Sequence, residues 1–189
     1  MDDTTVAILI TLAGALILLG IGWYWVKRSR SRRLRDTFGP EYERAVTKQG
    51  RAEGEKILDE RRKRVEKYEL HPLPAEDRVQ FLKRWEEVQG RFVDDPQAAI
   101  GDAQRLVDEV MEARGYPIGD ARRQQEDVSV ESPQVVSHYR QAREIARRNE
   151  AGEASTEDLR LAVQHYRALF QTLLESGAMV EEEVEAHAR

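Results

Sequence analysis

The chain has 189 residues, 30 basic and 35 acidic side chains, a formal net charge of −5 and no cysteine. Without a thiol it has no cysteine nucleophile, no Cys-ligated zinc and no iron–sulfur cluster, and the composition suits a reducing compartment. Lys27, Arg28, Arg30, Arg32, Arg33 and Arg35 supply +6 and Asp2 with Asp3 −2, so residues 36–189 carry −9, a balance that makes nucleic-acid binding unfavourable.

From Val6 to Val26 the chain runs twenty-one residues without a charge. At about 1.5 Å per helical residue this run is roughly 31 Å long, matching a hydrocarbon core of about 30 Å, so it predicts a single transmembrane helix at residues 6–26. The cations follow the run and the aspartates precede it, which puts residues 1–5 outside and the basic segment 27–39 on the cytoplasmic side. Trp23, Tyr24 and Trp25 sit between the apolar run and the cations, as an interfacial belt does. Lys27, Arg28, Arg30, Arg32, Arg33 and Arg35 also suit contact with anionic lipid, at about 1 kcal/mol each. Ala13-Gly14-Ala15 would serve a cleaved secretory signal, but no positive segment precedes the run. Ala7, Thr11, Ala15 and Gly22 form a small-residue ridge that would let two such helices associate as a homodimer.

No later segment alternates with period two, so the remainder reads as helical. Residues 40–73 form a charged membrane-proximal segment. Its stripe of Tyr42, Val46, Ile57 and Val65 is thin, Gly50 and Gly54 weaken its middle, and Asp59 with Lys63 and Glu60 with Arg64 are spaced to pair along one face. It reads as a spacer helix ending at His71-Pro72-Leu73-Pro74, about 43 Å long if helical from Pro40 to Tyr68. The basic knot Arg61-Arg62-Lys63-Arg64 within it reads as a solvated face.

Residues 74–177 then predict one bundle of about four core helices. The first, from about Ala75 to Phe92, buries Phe81, Trp85, Val88 and Phe92. Asp95-Pro96 caps the second, which lines up Ala99, Ala103, Leu106, Val107, Val110 and Met111 and stops at Gly115-Tyr116-Pro117. Residues 118–131 form a polar connection with room for a short helix, and Ser132-Pro133 repeats the cap-then-proline signal. The third core helix buries Val135, Val136, Tyr139, Ala142, Ile145 and Ala146; after Gly152 and the cap at Ser155 the fourth buries Leu159, Val163, Tyr166, Phe170, Leu173 and Leu174. The short turn between them makes these two helices antiparallel. The acidic tail, 178–189, has too little to bury to be ordered.

The candidate chemistry is sparse. No phosphate loop and no glycine-framed serine occurs. His71, in a proline-bracketed turn, and His187, in the tail, read as solvated. His138-Tyr139-Arg140 is echoed by His165-Tyr166-Arg167 on the facing helix, so a ligand or metal site between the last two core helices is the one constellation worth testing. No carboxylate lies three or four residues from either histidine. This counts against a complete metal site, and no cofactor, metal or catalytic set is expected.

Three segments, Arg91-Phe92-Val93-Asp94-Asp95-Pro96, Glu109-Val110-Met111-Glu112-Ala113-Arg114-Gly115-Tyr116-Pro117 and Ala154-Ser155-Thr156-Glu157-Asp158-Leu159-Arg160, resemble a family of bacterial single-pass membrane proteins that has no established activity. The resemblance spans about Arg33 to Glu175 and implies a bacterial cytoplasmic membrane. Here Asp120 is followed by Ala121 and Arg122 where the family pattern has Phe-Glu. The expectation is an all-α, membrane-tethered cytoplasmic module that is not an enzyme and serves protein interaction with an unknown partner. The alternative is a ligand- or metal-binding module built on the paired His-Tyr-Arg segments.

Overall fold

A computed structural model describes the backbone of residues 3–176 and the side chains of 18–120 and 122–176; these residues form eight helices and no strand. The protein is therefore all-α. The chain divides into two compact units, with the boundary between Asp59 and Glu60. Of the expected features, the outer N-terminal residues Met1 and Asp2, the acidic tail and His187 lie outside the described residues.

The first unit contains α1 (Asp3–Phe38), α2 (Pro40–Gln49) and most of α3 (Arg51–Val65). Among the described residues no helix is long and apolar enough to cross a membrane. Much of the expected membrane run, residues 6–17, is described in its backbone alone, and the side chains of Ala7, Thr11 and Ala15 of the expected dimer ridge fall in that stretch. Around Gly22, the remaining ridge position, an added Cβ meets nothing within 4 Å.

The segment from Pro40 to Tyr68 is not one helix. Gly39 (φ +46°) ends α1 and Gly50 (φ +78°) ends α2, so two left-handed glycines divide the chain where a helix continuous with α1 would require none. Gly54 is a point of close approach: a Cβ there would stand 2.9 Å from the Ala45 carbonyl carbon. The sparse stripe is used because α1 supplies the missing apolar surface. Leu34, Phe38, Tyr42 and Leu58 are all buried. The rim is ionic: Arg30 donates to Asp59 at 2.6 Å, Arg35 lies 3.2 Å from Glu43, and the Tyr42 hydroxyl donates to Glu55 at 2.8 Å.

The second unit holds the end of α3 with α4 (Ala75–Asp94), α5 (Pro96–Ala113), α6 (Ala121–Glu131), α7 (Val136–Glu150) and α8 (Thr156–Glu175). The expected capping signals operate at both long turns. Asp95 accepts from the Ala98 amide at 3.0 Å, and Ser155 with Asp158 closes a reciprocal capping box. All six residues expected in the second core helix are buried, and Ile100 joins them. Trp85 of α4 stacks on Phe170 of α8, with ring centroids 4.9 Å apart. Phe81 and Phe92 are only partly buried at the edge of this core, and so are Ile145 and Val163.

Two local expectations change. Ser132 does not cap α7; its amide returns to the Val128 carbonyl and closes α6, and α7 begins after Val135 with no side-chain cap. The basic knot is not simply solvated. Within this unit Arg64 donates twice to Asp127 of α6, at 2.6 and 2.9 Å, and Arg61 lies 3.4 Å from Glu126.

Candidate functional site

The α7–α8 hairpin brings the two histidines together for a simple reason. His138 lies thirteen residues before Ala151 and His165 thirteen after Gly152, so positions equidistant from the turn meet across an antiparallel pair. Their Nδ1 atoms are 2.8 Å apart and their ring centroids 5.0 Å apart. At that separation one imidazole donates its N–H and the other accepts, so the pair carries a single proton between the two nitrogens. Burial pushes the His165 pKa below the usual histidine range, and the neighbouring His138 adds to the effect.

A metal ion bridging the two Nδ1 atoms with bonds of about 2.0–2.1 Å in tetrahedral geometry requires them roughly 3.4 Å apart, so the hairpin would open by about half an ångström. Among the described residues no group of three or more His, Asp or Glu side chains is placed to hold a metal. The arrangement therefore supplies two nitrogen ligands at most.

The rest of the His-Tyr-Arg echo separates. Tyr139 and Tyr166 are fully buried; their hydroxyls point to Gln124 at 3.5 Å and Gln104 at 3.2 Å, and burial pushes both phenols well above their ordinary range. They are core residues with a polar tip. Arg140 lines an open groove with Arg143 and Arg147, and Arg167 is exposed. Of the six residues singled out from the sequence, His138 and His165 are brought into hydrogen-bond contact across the hairpin, and Tyr139 and Tyr166 share its core.

On α1 the expected interfacial residues are exposed: Trp23 is 72% accessible and Trp25 64%. Lys27 lies over the Trp23 ring at 5.6 Å and Arg28 donates to the Tyr24 hydroxyl at 3.1 Å. Arg30 and Arg35 engage Asp59 and Glu43, and Lys27, Arg28, Arg32 and Arg33 are exposed.

Two polar clusters were not singled out from the sequence. Asp127 is buried beneath Arg64, and the Tyr68 hydroxyl donates to it at 2.7 Å. Arg114, also buried, donates to Ser176 at 2.9 Å and lies 3.1 Å from Glu131, to which Tyr116 donates at 2.6 Å. The first left a trace in the sequence, because Gln124, Asp127, Val128 and Glu131 share one face of α6. His71, expected to be solvated, is exposed; its ring nitrogen Nδ1 lies 3.0 Å from the Glu69 carbonyl. No family profile, curated protein or solved structure matches the chain.

Proposed function

We propose that the protein is a membrane-tethered helical module whose second unit serves as a scaffold for protein partners in the bacterial cytoplasm, as the resemblance to single-pass membrane proteins implies. One observation carries this reading. α1 continues as helix through the uncharged run, and its described apolar side chains are bare, with Leu18 71% and Val26 67% accessible. A bare apolar helix of this kind favours lipid as its solvent. The exposed Trp23, Tyr24 and Trp25 beside Lys27 and Arg28 support an inner interface at that level.

The test is a topology fusion with carbonate extraction. Alkaline phosphatase joined after Arg189 is expected to be inactive, a fluorescent protein at the same place to be bright, and the chain to stay with membranes at high pH. An active phosphatase fusion, or release by carbonate, overturns the tether.

The second reading rests on the 2.8 Å approach of His138 and His165 and makes the hairpin a two-histidine ligand site. Titration of the full chain with Ni²⁺ or Zn²⁺ tests it. Equal binding by the chain and its His138→Ala/His165→Ala variant removes it.

A further inference from the structure

α4 carries two apolar stripes. The inner one, Phe81, Trp85, Val88 and Phe92, packs on the core of the second unit. The outer one runs Ala75, Val79, Leu82, Glu86, Gly90 and Val93, at steps of four, three, four, four and three, and every member is exposed. Val79 is 63% accessible, Leu82 48% and Val93 81%; of the other large apolar side chains described in this unit, only Ile118 and Leu161 are exposed. Gly90 adds a second observation. It lies inside α4 without a positive φ, and a Cβ there would meet nothing within 4 Å. Neither a turn nor packing within the chain calls for glycine at this position, although glycine weakens a helix interior relative to alanine.

We propose that this outer face of α4 pairs with the same face of a second copy of the chain, antiparallel about a two-fold axis at Glu86. The stripe is complementary to itself in that register. Val79 and Val93 stand seven residues to either side of Glu86, and Leu82 and Gly90 four residues to either side. Reversal about Glu86 lays Val79 against Val93 of the second copy and Leu82 over its Gly90, so each leucine takes the space of the missing side chain. The charges agree. Lys83 falls level with residue 89 of the second copy, about 3 Å along the axis from Glu87 and about 4.5 Å from Glu86, so the two Glu86 carboxylates at the axis are each met by a lysine of the opposite copy. A parallel pair would set Lys83 against Lys83 and leave a void between two Gly90 positions, and a partner of another sequence would not require a stripe symmetric about one residue. A single helix pair is a small interface, so the association is weak and rises with concentration. This inference concerns α4 alone and stands whether or not α1 enters a membrane.

The chain has no native cysteine, so single substitutions report on the pairing. The full chain, concentrated in detergent, is treated with a short bifunctional maleimide. Glu86→Cys is expected to give a covalent dimer at least tenfold faster than Gln80→Cys, an exposed position of α4 outside the stripe. Val79→Cys mixed with Val93→Cys is expected to give the mixed dimer at a rate close to that of Glu86→Cys. Val79→Cys alone is expected to stay at the control rate, since antiparallel pairing sets the two Val79 positions about 21 Å apart. Gly90→Leu, whose added Cβ meets nothing in the single chain, is expected to return Glu86→Cys to the control rate with helical circular dichroism unchanged, and so is Leu82→Glu. Equal rates at Glu86 and Gln80 overturn the proposal and leave the face to a partner of another sequence. Fast linkage by Val79→Cys alone overturns it in favour of a parallel pair, and a fast Glu86→Cys rate that survives both Gly90→Leu and Leu82→Glu overturns it by assigning the dimer to another surface.

Discussion

Gly115→Ala tests whether the Gly-Tyr-Pro turn is set by space as well as by chain reversal. Gly115 sits at φ +90°, outside the range an L residue adopts without strain, and its missing Cβ would lie 2.5 Å from the Glu69 carbonyl oxygen. The conformational cost is about 1–2 kcal/mol. Backbone must also move on the Glu69 side, where the His71 amide donates to the Arg114 carbonyl at 3.2 Å. Loss of that bond adds about 1 kcal/mol, for a total of roughly 2–3 kcal/mol. The control is Gly90→Ala in α4, where a Cβ meets nothing within 4 Å and the helix gains about 0.5–1 kcal/mol. Both are read by urea titration of the full chain in detergent, using Trp85 fluorescence in a Trp23→Phe/Trp25→Phe background. The same chemical change should move stability in opposite directions. If both variants shift the same way, or if Gly115→Ala falls within about 0.5 kcal/mol of the parent, the close approach to Glu69 does not constrain the fold.

Gly54→Ala should loosen the first unit by about 1–3 kcal/mol, because its Cβ would meet the Ala45 backbone at 2.9 Å; unchanged amide protection over residues 40–58 would contradict this. Asp127→Asn keeps the shape but removes the nearer of the two anions on Arg64, leaving Glu126 at 3.4 Å. Arg64 is 31% accessible, so the loss should be about 2–3 kcal/mol, below that of a fully buried pair, and urea midpoints check it. His165 has a folded-state pKa below the ordinary 6.5, so the unfolded chain takes up the proton first. The corresponding stability is whole above that value, falls as the pH drops below it, and stops falling beneath the lowered folded value. His165→Gln should flatten this slope, and an equal slope in the variant would assign it to other groups. Native-state hydrogen exchange should show a smaller opening free energy for the amides of α6 than for those of α5, and equal values would refute that ranking.

What could be read from the sequence follows from where each element draws its stability. α5 and α8 carry their apolar residues at helical spacing and bury them, so periodicity found Leu106, Val110, Leu159 and Phe170 without help. Caps that act within a few residues, Asp95 and Ser155, were equally legible. Gly50 and Gly54 were visible as weak points, but periodicity alone does not distinguish a weakened helix from a turn followed by a close crossing. The difference lies in Leu34 and Phe38 of α1, which belong to a segment assigned to membrane attachment and which supply the surface that α2 and α3 lack. The histidine pair was legible because the hairpin turn fixes its register. The fate of Tyr139 and Tyr166 was legible only in part, since their phase predicts burial and says nothing of Gln124 and Gln104 waiting for their hydroxyls.

α6 was the hardest element to place because ordinary core chemistry contributes so little to it. Among its described side chains the buried ones are Gln124, Asp127, Val128 and Ser129, so one valine is their whole fully buried apolar share. Burying that side chain contributes about 1.5–3 kcal/mol, well short of what α5 gains from Ile100, Leu106, Val107, Val110 and Met111. The rest of its attachment is ionic and directional: Arg64 and Tyr68 on Asp127 at one point, Arg114 and Tyr116 on Glu131 at another. Such contacts specify position well, but their attraction is largely offset by the cost of taking charge out of water. A helix attached in this way keeps its place while both anchors hold and yields as a unit when either is lost. Because α6 also supplies Arg122 and Gln125 to the arginine groove, the groove has one wall, α7, set in the apolar core and another held by charge.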